Sequence, residues 1–241
     1  MPTLVAGVIA PDARRGAAAP GPIAGTSDPD PAIVIMVAGS GGLTSPSGRS
    51  YDPAVSPLSV GDGLQPGTRV TVARGGAAAI RFESGMTVLA RQDSVFTIEE
   101  SRVDSHVLGI ESGALAILTG ASPGDRAPIE VVSGGSTVRP SAGTVVIESS
   151  GSTIGQEAAD ASTAALLHLL SAGKPVGRLE VDSEVPGRLD VGGATIGPLP
   201  VSAMLPRGRY GIAVLAEDGS TLRTDDVDIE ADQTLRISVA P

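Results

Sequence analysis

From Ile33 to Ser150 the chain repeats a single device: a short apolar-rich run followed by a turn carrying Gly or Pro. The runs are Val70–Ala73, Ala78–Phe82, Thr87–Ala90, Val95–Ile98, Val107–Ile110, Leu115–Leu118, Ile129–Val132 and Val145–Ile147. A strand-to-strand spacing of roughly 8–12 residues leaves no room for helices and predicts an all-β sandwich, barrel or stacked-sheet domain. Within several runs the side chains alternate, as in Ile80 and Phe82 against Arg81 and Glu83, or Phe96 and Ile98 against Thr97 and Glu99. Alternation of this kind puts one face in a core and the other in water.

The period then changes. Gln156–Ser171 sets Ala159, Leu166 and Leu170 on one side of a 3.6-residue helix and Glu157, Asp160 and His168 on the other. Ser152 or Thr153 is placed to cap its start, Glu157 adds favourable charge to the first turn, and Gly173 with Pro175 supplies a stop. This predicts one connecting helix, docked on a sheet. Alternation resumes in Leu179–Val181, Leu189–Val191, Tyr210–Leu215, Val227–Ile229 and Leu235–Val239. These runs suit a small C-terminal antiparallel β-sandwich of about 65 residues, near the lower limit for independent folding. Residues 1–32 mix a short apolar stretch with Pro, Gly and Ala and read as an extended arm. The expected organisation is therefore mostly β: an arm over 1–32, an all-β domain over 33–150, helix and linker over 151–175, and the sandwich over 176–241.

Composition removes several function classes. Gly and Pro are frequent, at 32 and 19, yet 41% of residues are hydrophobic, enough to close a core. With no Cys there is no disulfide framework, thiolate metal site or thiol nucleophile. A net charge of −10 and a single Lys, Lys174, argue against nucleic acid, which calls for clustered cations and stacking aromatics. The longest apolar runs, Thr3–Ala10 and Ile33–Ala38, fall far short of the ~20 residues of a membrane helix. No Lys or Arg precedes Leu4–Ala10 and Pro11 interrupts it, so no secretory signal is read; the chain is expected either to be cytoplasmic or to start after a targeting segment.

Two stretches carry a family resemblance. Gly61-Asp62-Gly63-Leu64-Gln65-Pro66-Gly67-Thr68, the run Gly76 to Leu89, then Ser94–Ile98, Leu108–Leu115, Ile129–Val132 and Ser141–Val146 together resemble the FecR domain over about residues 55–150. Gly177–Gly193 followed by Leu205–Val214 is similar to a PEGA domain, a small β-sandwich, over about 177–240. Gly192-Gly193 departs from it where Asp-Gly is usual. The resemblance implies an envelope-associated β-rich scaffold in the periplasm or outside the cell, and it carries over no catalytic residue. A complete transmembrane regulator of the FecR kind would need a membrane helix and a cytoplasmic domain that this sequence does not contain.

Reactive motifs are few. Gly120-Ala121-Ser122-Pro123-Gly124 fits the G-x-S-x-G spacing, but Pro123 removes the backbone N–H that would form the oxyanion hole after Ser122. Gly39-Ser40-Gly41-Gly42 follows a strand-like run, yet Thr44 stands where a third glycine belongs and Pro46 and Pro53 prevent a following helix; a turn is expected. His168 reads as a solvated helix-surface residue, and His106, after Asp104 and Ser105, as part of a turn between strands. The acidic groups Asp28/Asp30 and Asp225/Asp226/Asp228/Glu230/Asp232 leave Ca²⁺ as a minor alternative to a solvated, pairing-resistant face.

The expectation is a non-enzymatic module with no cofactor, metal or catalytic residue, acting by protein–protein contact or self-assembly as an accessory or structural subunit. A sensory or carbohydrate-binding module is the alternative. With Phe82, Phe96 and Tyr210 assigned to cores, Tyr51 is the candidate aromatic for a partner, and binding is expected through backbone edges and Ala/Val/Leu surface.

Overall fold

The computed structural model describes residues 28–44, 55–119, 128–140, 143–150, 153–173 and 175–240. Among the described residues the fold is mostly β, 65% strand with one helix. The chain begins with β1 (Ala32–Ala38), β2 (Gly41–Thr44), β3 (Val55–Pro57), β4 (Gly63–Leu64) and β5 (Arg69–Val72). Next come β6 (Ala77–Phe82), β7 (Thr87–Ala90), β8 (Val95–Arg102) and the long β9 (Ser105–Thr119). Two hairpins follow, β10 (Ile129–Ser133) with β11 (Ser136–Val138) and β12 (Gly143–Ser150) with β13 (Thr153–Ala158), then the helix α1 (Ala161–Ser171). The remainder is β14 (Val176–Ser183), β15 (Gly187–Val191), β16 (Ala194–Pro198), β17 (Val201–Pro206), β18 (Gly208–Ala216), β19 (Thr221–Ile229) and β20 (Thr234–Val239).

Among the described residues, sixteen strands join in one mixed sheet whose main path runs β20-β14-β17-β1-β6-β7-β9-β8-β5-β2-β3. A second, four-stranded antiparallel sheet runs β16-β15-β18-β19. Among the described residues, only β9–β10 and β14–β20 pair in parallel; the latter departs from an all-antiparallel C-terminal sandwich. The sheet also crosses the expected boundary at 176. β1 pairs with β6 on one edge and, at Met36–Ala38, with Ala203–Val201 of β17 on the other.

That crossing explains why Ile33–Val37 is a continuous apolar run rather than an alternating one. A strand covered on both faces has no wet side. Val34 and Val37 enter one core with Ile80, Phe82, Phe96 and Ile98. Ile35 and Met36 point the other way, into a core shared with Leu166, Leu167 and Leu170 of α1 and with Leu179, Leu205 and Val214. Tyr210 packs at the margin of the second core, its hydroxyl donating to the Pro206 carbonyl at 2.8 Å.

The helix starts later than its periodicity predicts. Residues 153–158 pair with β12 instead, so Glu157 belongs to a strand and neither Ser152 nor Thr153 is the cap. Asp160 is the N-cap, accepting from the Thr163 N–H at 2.8 Å, and Arg91 reaches its carboxylate at 3.0 Å. The Thr163 hydrogen bonds, with Arg91 beside them, hold the Asp160 carboxyl below the ordinary carboxylate range.

The two runs Val107–Ile110 and Leu115–Leu118 belong to one strand. β9 crosses Gly113, whose φ of 84° is left-handed, and it pairs with β8 and β10 before the bend and with β7 and β12 after it. A Cβ on Gly113 would sit 2.5 Å from Ser94 Cα. The left-handed backbone and the overlap together predict that Gly113→Ala costs about 2–4 kcal/mol, read as a shift in the urea midpoint at unchanged slope.

Candidate functional site

The chemistry-bearing residues that the fold brings together are Asp30, Ser84 and His106. Each comes from a different element: the lead-in to β1, the β6–β7 turn and the start of β9. His106 is 1% exposed and lies inside the strand, not in a turn as its sequence neighbours suggest. It tilts at 59° against the Phe82 ring, with centroids 4.8 Å apart. Its Nε2 is 3.2 Å from Asp30 Oδ2, and that side chain is equally buried.

Asp30 is thereby removed from the extended arm and from any calcium pairing with Asp28. Its other carboxylate oxygen accepts the Ser84 N–H at 3.0 Å. Its backbone N–H donates to the Ser101 carbonyl at 3.2 Å, and the Ser101 hydroxyl donates to its carbonyl. Val103 N–H bonds the Asp28 carbonyl and Pro29 bridges Arg102, so residues 28–31 are laced onto the β8–β9 hairpin. The signal in the sequence was slight: an Asp just ahead of a core strand.

Ser, His and Asp are present, yet the geometry is not that of a nucleophile triad. In a triad the carboxylate holds one imidazole nitrogen and the hydroxyl faces the other. Here Ser84 Oγ, at 3.5 Å, and Asp30 Oδ2 converge on the same Nε2, while the buried Nδ1 meets no partner. Burial pushes the imidazole below its ordinary value, against the pull of Asp30, Asp104 and Glu100. Asp30 Oδ2 is likewise buried without a hydrogen-bond partner among the described residues, so its 3.2 Å approach to Nε2 is a close electrostatic contact rather than a donated bond. The cluster is a buried clasp.

A groove of about 680 Å³ opens beside the clasp, between the ends of β1, β6 and α1 and the strands β14 and β17. Ile33, Val176 and Met204 line it, with Arg81 facing Ile33 across the β1–β6 ladder.

Other sequence candidates fall elsewhere. His168 is exposed on α1. Asp225 and Asp226 are held by Arg223 and Arg209, and Glu230 by Arg207. Among the described residues no three carboxylate or imidazole groups converge as metal ligands. Gly39 and Ser40 form a turn leading into β2. Tyr51 and Ser122 lie outside the described residues. No helix among the described residues is long and apolar enough to cross a membrane. No protein-family model matches this chain, and no curated protein or solved structure matches it either.

Proposed function

We propose that this chain is a non-enzymatic protein-interaction module of the cell envelope or exterior, an accessory or structural subunit of a larger assembly. The observation that carries the reading is the outer edge of β13. This strand pairs with β12 alone, and apart from half-buried Ile154 its side chains are exposed. Free edges are normally blunted by Lys, Pro, bulges or charge. β19 carries Asp225, Asp226 and Asp228, β3 ends at Pro57, β20 carries Arg236 and β11 is only three residues long, whereas the six residues Thr153–Ala158 hold no proline and a single charge, Glu157.

Among the described residues, exposed apolar patches offer no competing surface. Val103 and Leu222 are the exposed large hydrophobics among the described residues. Recognition by strand addition suits such a surface, because main-chain hydrogen bonds provide the affinity. The resemblance of residues 55–150 to FecR domains and of 177–240 to PEGA domains supports the envelope setting. A periplasmic sensory module is the second reading, favoured by the groove beside Arg81.

A photo-crosslinking residue at Glu157, on β13, is expected to capture a protein neighbour or a second copy in the native cells, while the same residue at Glu217, in an exposed turn, captures none. Equal adducts from both positions, or none from Glu157, would remove β13 as the contact.

A further inference from the structure

Among the described residues that line the groove the one cation is half-buried Arg81, and it lacks a counter-ion there. Arg69, Arg91 and Arg236 each hold a carboxylate within 3.0 Å. Arg81 has none within 4 Å among the described residues; its hydrogen bond is a 3.4 Å contact from Nη1 to the Ala172 carbonyl at the end of α1. Arg74 and Arg188 also lack a carboxylate, but both are exposed. A guanidinium presents five donors in a planar fork that matches a carboxylate two-for-two, so most of its capacity at Arg81 is unused.

The walls select what accompanies that anion. Ile33, Val176 and Met204 give an apolar floor, and the volume lies within the range of roughly 300–1,000 Å³ typical of small-molecule sites. Among the described lining residues there is no second cation to balance a dianion, and exposed Glu83 at the mouth disfavours a doubly charged group. We propose that this groove binds aliphatic monocarboxylates, with the carboxylate on Arg81 and the hydrocarbon chain along Ile33, Val176 and Met204. Burial holds the Arg81 guanidinium below its ordinary value, the mark of a cation short of both water and partner, which a bound carboxylate relieves. This site is independent of the β13 edge.

The test is titration of the full chain with butanoate, hexanoate and octanoate, followed by calorimetry and by shifts of the Ile33 and Met204 methyl resonances. Affinity is expected to rise by up to about fourfold per methylene, and octan-1-ol to bind at least tenfold more weakly than octanoate. Arg81→Leu is expected to lose octanoate binding at least tenfold and Arg81→Lys to retain most of it. Gly173 lines the groove and a Cβ there meets nothing within 4 Å, so Gly173→Phe is expected to fill the space and abolish binding. Octanol binding as well as octanoate in the unmodified protein, no methyl shift at millimolar octanoate, or full octanoate affinity in a folded Arg81→Leu variant would overturn the assignment.

Discussion

Deleting residues 176–241 is expected to leave residues 1–175 unable to fold, rather than to release an intact N-terminal domain. Without β17 the Met36–Ala38 edge of β1 loses its ladder partner. Ile35, Met36, Leu166, Leu167 and Leu170 also lose the side chains of β14, β17 and β18 that complete their core. Re-exposing five large aliphatic side chains costs about 7–15 kcal/mol, comparable to the whole stability of a typical domain at about 5–15 kcal/mol. The full chain should accordingly unfold in one calorimetric transition, and the truncated chain should give a poorly dispersed amide spectrum. A point substitution makes the same claim without truncation: Ala203→Asp buries a carboxylate opposite Met36 and should unfold both halves together. A dispersed spectrum and cooperative melting from residues 1–175 would show that the halves are separable.

The second large effect is at the clasp. Deleting the buried imidazole leaves a cavity against Phe82 and strips Asp30 of its polar neighbour, and His106→Ala is expected to cost about 2–4 kcal/mol. The pH dependence has a definite sign. Burial lowers the folded-state value of His106 below its ordinary level, so the unfolded chain takes up the proton first. The stabilisation is complete above a pH of about 6.5 and is lost as the pH falls, at up to about 1.4 kcal/mol per unit. The carboxyls that Arg69 and Thr163 hold low, Glu111 and Asp160, respond only in the more acidic carboxylate range. Urea denaturation between pH 5 and 7 therefore isolates the histidine; a flat profile there, or an unchanged slope in His106→Gln, would contradict the assignment.

How much of this was legible follows from the range of each signal. Period-two alternation is local, and the strands at Ile80, Phe96, Leu179 and Val214 lie where the alternation put them. Phe82 and Phe96 are both buried as their positions required. β17 also alternates, through Val201, Ala203 and Leu205, but it is not among the runs expected as strands: Pro198, Pro200 and Pro206 around it weaken the strand signal. Helical spacing at Ala159 extended the helix too far, because nothing local reveals that residues 153–158 have β12 as a partner. The Asp30–His106 clasp joins residues far apart in the chain, and Arg81 alternates correctly as a polar position without disclosing that a helix end and β17 close over it. The candidate site was therefore nearly invisible in the sequence, while most of the strands were not.

The pairing of β1 with β17 has a consequence for how the molecule is made. β1 is among the first core strands to be synthesised, and the strand that completes its edge arrives more than 160 residues later. At about 5–20 residues per second, this interval is on the order of ten to thirty seconds. For that time β1, whose Ala32–Val34 stretch is met by β4 and the loop before it, has its Met36–Ala38 edge open and one face uncovered, which leaves that stretch of the nascent chain prone to wrong pairing. Such long-range closure also places this chain among slow folders, whose rate is governed by the search for β17 rather than by the hairpins between.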